Sequence, residues 1–539
     1  MSIGYRTLVQ VVLFMLSLSI AAFANEVLVA KNKSAYLPIC VSENASNQTL
    51  NSARELAEKL DLITGAKFVV QRGRAPSCIF LSTLEDTPEG ASKLQGLESS
   101  EAYFINTSRS GVWLCARSQA GVSHAAYDLL HQIGYRRYFP SENWEVIPSV
   151  DTLRLSIDRT VEPAFKERKI GFTWGLWKEE KSLFREWAKV NRLDDDYQLL
   201  TSHAGARIIR DFKERFKAHP EFFALVKGKR TPRHFCYSNR ELLETIGDSA
   251  IKYLERHPDK DTFSVEPADG NHWCECEPCR IIGSPSDRLA LAANVVGERL
   301  QKIFPDKRVA FLAYNLNSPP PTRQRLHHQP TVTATTAFLR EGTTTEGNLR
   351  GWKNAGAGDL GVYAYPSYHF WGRDMPGTAK MSSSSNLAKA LPSYADLGAN
   401  IYVAESSYNW TSVGFAHYFL SRQLWGPKTS DYHQERADFL LKAFGSNAYY
   451  EMDAFYDALD SKDSVLNSSE LIHELYSHLN EAFKKEKSEL IRRRLAELTA
   501  YVRYAELRTE FRRANKANKG RLAEALAAHL AKSLSLIHI

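Results

Sequence analysis

The stretch SVEPADGNHWCECEPCR, Ser264 to Arg280, decides how this chain is read. An apolar, strand-like run (Thr262, Phe263, Ser264, Val265) delivers two carboxylates, Glu266 and Asp269. Trp273 follows, and then Cys274, Cys276 and Cys279 in Cys-x-Cys-x-x-Cys spacing. Acids released where a parallel strand ends, before a loop tied by disulfides or metal, are how a (β/α)8 barrel presents acid/base groups at its rim. The competing reading is a surface turn with a structural cysteine knot.

Outward from this stretch, Glu162 to Trp425 repeats a pattern of strand, loop and helix. Candidate strands are Lys169–Thr173, Trp187–Leu193, Arg233–Tyr237, Thr262–Glu266, Val309–Tyr314, Val332–Phe338, Leu360–Tyr365 and Ile401–Ala404. Helical spacing in Arg240–Arg256 and Ser286–Phe304 separates some of them. Eight such units over residues 159–429 fit a (β/α)8 TIM barrel, whose usual size is about 250 residues. An open doubly wound sheet is the alternative, but no glycine-rich phosphate loop follows any strand.

Residues 25–158 read as a small α/β domain. Its strands are Val27–Ala30, Ile79–Ser82, Tyr103–Asn106 and Val112–Cys115, and its helices Leu50–Leu62 and Gly121–Ile133 end at Gly65 and Gly134. Residues 430–539 are rich in Ala, Leu, Glu, Lys and Arg at helical spacing and read as a helical C-terminal domain. The basic tract Lys484–Arg494 is interleaved with Glu and reads as a solvated helix face. Ser533 to Ile539 look unlike a natural helix end and are set aside as a truncation or fusion scar.

Residues 1–24 carry the marks of a signal peptide: Arg6, an apolar run from Val11 to Ile20, and Ala22-Phe23-Ala24 as the cleavage site. No later stretch is long and apolar enough to span a membrane. A periplasmic or secreted protein is expected. The net charge of +7 is dispersed along 539 residues, so a nucleic-acid partner is not indicated. A hydrophobic content of 43% supplies sizeable cores. Of seven cysteines, Cys40, Cys78 and Cys115 lie in apolar contexts as small core residues. Cys236, Cys274, Cys276 and Cys279 are candidates to act together, as a structural zinc site or as disulfides.

In a barrel, strand C-termini and the loops after them share one rim. That rule gathers Trp174, His203, Asn239, Trp273, Tyr314, Tyr365, Trp371, Asn409 and Trp410 as candidate substrate-binding residues around the acids Glu266, Asp269 and Glu405. Aromatics stack on sugar faces and amides bond hydroxyls, so the mixture suits a neutral polyol such as a glycan or polysaccharide. Glycosidic cleavage needs one protonated and one ionised carboxyl group, and no catalytic cofactor. Neither a His-Glu-x-x-His pattern nor a Ser nucleophile elbow occurs, which leaves protease and esterase readings without support.

The segment Val265–Arg280 resembles the signature of the glycoside hydrolase 163 group, formerly catalogued as domain of unknown function 4838. His219-Pro220-Glu221-Phe222-Phe223, Gly228-Lys229-Arg230, Ala404-Glu405-Ser406-Ser407 with Asn409-Trp410, Leu424-Trp425-Gly426-Pro427 and Phe444-Gly445 extend the likeness. Ala57 to Leu60, Thr64-Gly65 and Gly121 to Pro140 resemble the small domain that precedes barrels in family 20 β-hexosaminidases and in α-glucuronidases. The resemblance implies a (β/α)8 barrel with endo-β-N-acetylglucosaminidase action on N-glycans. It implies that Glu266 or Asp269 is the acid, and that a second carboxylate steadies a substrate acetamido group acting as nucleophile. An α-glucuronidase-like inverting hydrolase and a non-catalytic carbohydrate-binding protein are the alternatives.

Overall fold

The computed structural model describes residues 26–172, 178–193, 196–199, 203–366, 384–406, 408–460 and 468–537, the last five of these by backbone only. The leader expected at 1–24, Trp174 and Trp371 lie outside the described residues. The chain forms two compact units. One is the chain through Pro163 together with Lys178–Asp196, and the other is Ala164–Trp177 together with Tyr197–Ile539.

The first unit is built on a six-stranded sheet and a three-stranded one. The larger runs in the order Asp158–Val161, Tyr103–Ser108, Gly111–Ala116, Cys78–Thr83, Ile39–Val41, Val70–Arg72. Helices Asn47–Thr64 and Gln119–Ile133 pack on it, and both are framed by local chemistry the sequence displays. Ser46 and Ser118 accept the Thr49 and Gly121 amides at 3.1 and 3.2 Å. Gly65 and Gly134 close the helices at φ 67° and 114°, where a side chain would be strained. Cys40, Cys78 and Cys115 are buried in this unit.

The strand expected at Trp187–Leu193 is a correction: Lys178–Val190 is a helix. Phe184, Trp187 and Asn191 recur three and four residues apart, which places them on one helical face. Trp187 is fully buried and its indole N–H donates to the Tyr138 carbonyl at 2.9 Å. The same segment brings Arg192 to Asp128, Arg159 and Tyr103. Asp128 pairs with Arg159 at 2.8 Å and with Arg192 at 3.8 Å, and it accepts the Tyr103 hydroxyl at 2.8 Å. Beside them the buried Glu101 meets His124 at 2.8 Å.

The second unit is organised by a parallel six-stranded sheet: β1 (Glu167–Phe172), β2 (Thr262–Ser264), β3 (Arg308–Asn315), β4 (Thr331–Leu339), β5 (Asp359–Ala364) and β6 (Ala399–Ser406). Its order is β1-β6-β5-β4-β3-β2. The first strand pairing the last, Glu167 opposite Ile401, is how a curled barrel sheet connects its ends. β3 reads as a near-continuous apolar run, Val309 to Ala313, all five residues buried, as expected where both faces are covered. The architecture is thus the expected α/β barrel type, formed as a curled half-barrel with helices between strands.

Six of the eight expected strands join this sheet. The expected third, Arg233–Tyr237, instead belongs to an antiparallel hairpin of Phe223–Val226 with Lys229–Phe235. Its two-residue turn has Lys227 and Gly228 both at positive φ, 48° and 75°, the twist a tight hairpin needs.

C-terminal helices run through Tyr432–Asp460, Ser469–Lys485, Glu489–Arg513 and Lys516–Ile537. The last helix continues through residues the sequence reading set aside. Arg494 departs from the expected solvated face: it is 1% exposed and donates to the Ala443 carbonyl at 2.7 Å. It caps the helical segment that breaks at Gly445, φ 74°.

Candidate active site

The C-terminal ends of β2 to β6 converge in the second unit. Val265 leaves β2 with its amide on Ala310, and Glu266 follows, buried at 2% exposure. Pro267 and Gly270 (φ 112°) turn the chain so that Asp269 is exposed. The turn is held from behind. Ala268 donates to the Arg233 carbonyl at 3.3 Å, and His234 meets the Asp269 carbonyl at 3.2 Å. Gly205 packs so tightly on this turn that a Cβ would fall 2.7 Å from the Ala268 nitrogen. That close approach brings His203, two residues earlier, to the same acids.

Asp269 accepts the Tyr314 hydroxyl at 3.1 Å, and its carboxylate lies 3.6 Å from His203 Nε2. Tyr363 donates to Glu405 at 3.5 Å. The rings form a continuous wall: His203 to Tyr314 at 5.5 Å, Tyr314 to Phe338 at 5.9 Å, Phe338 to Tyr365 at 5.2 Å and Tyr365 to Tyr363 at 5.3 Å. Phe338 is 41% exposed and holds φ 55°, an unusual backbone state for an aromatic residue. Asn315, at the end of β3, shares it at φ 52°. Asn tolerates that conformation, whereas at an aromatic residue it stores backbone strain.

These groups also act on one another electrostatically. Burial raises the Glu266 carboxyl well above 4.5 against the opposing Leu312 backbone hydrogen bond, and the Asp269 charge raises it further. One of its oxygens, Oε2, has no hydrogen-bond partner among the described residues. Burial lowers the His203 pKa, against the opposing pull of Asp269 and Glu405. Tyr314 is pushed up to about 12 by burial and by Asp269. Burial, then Glu405, also raises Tyr363, with Glu266 adding to it. A carboxyl whose pKa is raised, beside further carboxylates and hydrogen-bonding groups, is equipped for proton transfer to a neutral substrate.

The structure therefore brings together Glu266, Asp269, Glu405, His203, Tyr314 and Tyr365. It assigns others to different work. Asn239 caps the helix Arg240–Arg256, its side-chain oxygen accepting the Leu242 amide at 3.0 Å. Asn409 caps Trp410–Trp425 in the same manner, through the Ser412 amide at 3.4 Å. Trp410 is 2% exposed and packs edge-on against His417 at 5.0 Å, so it backs the site as core instead of facing a substrate. Trp273 is half-buried against Tyr237 at 5.9 Å.

Sequence reasoning passed over Phe338 as a site residue and His417 altogether. Phe338 carries the signal of an aromatic residue at a strand's C-terminal end. His417, buried in a helix, meets the Ser406 hydroxyl at 3.0 Å next to Glu405 and is lowered to about 3 by burial. Nothing local in the sequence marks it.

The four candidate cysteines also converge. Their sulfurs all lie within 4.8 Å of one another, and none is in a disulfide. Cys236 leaves the hairpin, Cys274 and Cys276 lie in the loop beyond Asp269, and Cys279 is in the short helix Glu277–Ile282.

A family model described as "Domain of unknown function (DUF4838)" matches residues 139–457. No curated protein matches the chain. Among solved structures, one described as a family GH115 4-O-methyl-α-glucuronidase with specificity for decorated arabinogalactans superposes with a TM-score of 0.61. It is 12% identical, and the match covers 94% of this chain and 77% of that one. At that identity the likeness is one of fold.

Proposed function

The chain belongs to the DUF4838 family, and from that premise we propose that it is an exported glycoside hydrolase acting on a β-linked N-acetylhexosamine in a complex glycan. The observation that carries the reading is the pairing of a buried, proton-holding Glu266 with the exposed Asp269 and with Glu405 at the ends of parallel strands. Glu266 donates its proton to the departing glycosidic oxygen. Asp269, fixed by Tyr314 and flanked by His203, steadies the charge that develops on the sugar or on its acetamido group. The ring wall of Tyr314, Phe338 and Tyr365 supplies a stacking face.

A second reading, inverting cleavage of an α-glucuronide, is favoured by the fold of the GH115 structure. A glucuronate would set another negative charge beside Asp269 and Glu405, so a neutral amino sugar suits this pocket better. Glycan release from glycoproteins, read by mass spectrometry, tests the proposal alongside aryl β-N-acetylhexosaminides and α-glucuronides. Release of N-glycans, lost in Glu266→Gln and Asp269→Asn, is the expected result. Turnover unchanged in both variants removes the assignment of the site. Sugar binding without turnover on any substrate replaces the enzyme with a binding module.

A further inference from the structure

We propose that Cys236, Cys274, Cys276 and Cys279 form a structural zinc site that locks the hairpin Phe223–Phe235 to the loop following Asp269. The inference is independent of the chemistry at the acids. Four thiolates at the corners of a tetrahedron around zinc, with Zn–S bonds of about 2.3 Å, stand about 3.8 Å apart. Cys236 lies 3.6 Å from Cys276 and 3.8 Å from Cys279, and the whole set fits within 4.8 Å. A disulfide needs sulfurs near 2.05 Å and uses them in pairs, whereas here Cys236 stands at similar distance from two partners.

The surroundings are those of a metal knuckle. The Leu225 amide donates to the Cys274 sulfur at 3.2 Å, the kind of N–H bond that stabilises a bound thiolate. The Ser238 hydroxyl stands 3.3 Å from both Cys236 and Cys279 and can donate to either once it is ionised. Three of the four cysteines are buried, and Cys276 is half-buried. The frame is also braced independently of the sulfurs. Glu275 donates its amide to the Leu225 carbonyl at 2.7 Å, Lys227 donates its amide to the Glu275 carboxylate at 2.8 Å, and Arg288 donates to the Cys274 carbonyl at 2.6 Å. A preformed cradle of soft ligands selects zinc over hard cations. On binding, each thiol releases its proton to solvent, and the divalent ion with four thiolates leaves two negative charges for the neighbouring N–H and O–H donors to bear.

The test uses the full chain purified without chelator or reductant. The expected result is about one zinc per chain by elemental analysis, with all seven cysteines titrating as thiols in denaturant plus EDTA. Cys276→Ser then loses the zinc, and Cys40→Ser, in the other unit, keeps it. Chain produced with cobalt in place of zinc shows sulfur-to-metal charge-transfer bands, a readout that does not depend on any variant folding. Five or three titratable thiols without zinc overturn the proposal in favour of disulfides. Seven thiols without metal overturn it outright, and iron in place of zinc overturns the choice of metal.

Discussion

Each unit buries carboxylates, and each treats them differently. In the first, Asp128 and Glu101 are sealed from solvent but fully answered: Asp128 by Arg159, Arg192 and Tyr103, Glu101 by His124. In the second, Glu266 is equally buried, yet no cation pairs with it among the described residues and Oε2 is left without a partner. The first arrangement keeps charges in place by neutralising them. The second favours a retained proton, because burial outweighs the one backbone donor, from Leu312, that would support the charged form. Burial alone therefore says little about role. What surrounds the buried group decides between architecture and chemistry.

The contrast is broken most severely at Glu266. Glu266→Gln removes the transferable proton but keeps the shape, and turnover falls by about 10²–10⁴-fold. Thermal stability holds or rises. The native chain keeps a proton that the unfolded chain releases above 4.5, so wild-type stability declines as pH climbs from there through the raised native value. The variant lacks that decline, and pH-dependent melting curves for the two proteins, diverging towards alkaline pH, check the sign. Melting curves that run parallel remove the buried-proton argument.

At Asp128 the outcome inverts. Asp128→Asn removes the carboxylate that faces the buried Arg192 and Arg159, and denaturant unfolding records a loss of about 3–5 kcal/mol while turnover per folded molecule is unchanged. A smaller effect sharpens the second half of the comparison. Tyr314→Phe frees Asp269 from its hydroxyl donor and lowers turnover by about 10-fold, the order of one hydrogen bond to a charged group, with stability barely altered. Below neutral pH, stability drains from the second unit through His417. Its contribution is complete above 6.5 and is lost as pH falls towards about 3, since the buried ring resists the proton that the unfolded chain takes up. His417→Gln flattens that acid limb. The smallest change is expected at the exposed helix pair Glu489–Arg493, where Glu489→Gln shifts stability by less than about 0.5 kcal/mol.

Much of this was legible locally. The serine caps and closing glycines of the first unit's helices stand in the sequence beside the residues they serve. β3 names itself by its apolar run, and β4 by its β-branched and alternating Thr-Val-Thr-Ala-Thr sequence. Legibility failed where a short run supports two periods. Trp187–Leu193 is apolar enough for a strand, and only the positions before it, with Phe184 among them, reveal the helix. The Lys227–Gly228 turn announces a hairpin, but the strand after it was credited to the sheet because Arg233–Tyr237 looks the same in either setting. The acids at strand ends were found by rule. The roles of Asn239 and Asn409 were not, since a helix cap and a sugar ligand ask for the same side chain. His417 and the positive φ of Phe338 depend on tertiary placement that no neighbouring residue encodes.

The first unit takes its last piece, Lys178–Asp196, from beyond strand β1, and this has a consequence for synthesis. As the chain leaves the ribosome, Asp128 can meet Tyr103 and Arg159 at once, but Arg192 and the buried Trp187 emerge later, so the first unit cannot be completed while only its leading portion exists. By then β1 has also emerged, and its partner is β6: Glu167 must wait for Ile401. A nascent chain paused anywhere between them carries β1 without its sheet partner, its backbone donors and acceptors open to other chains. Translation speed and holdase chaperones over that interval, more than the stability of the finished protein, should govern how much of it is recovered folded.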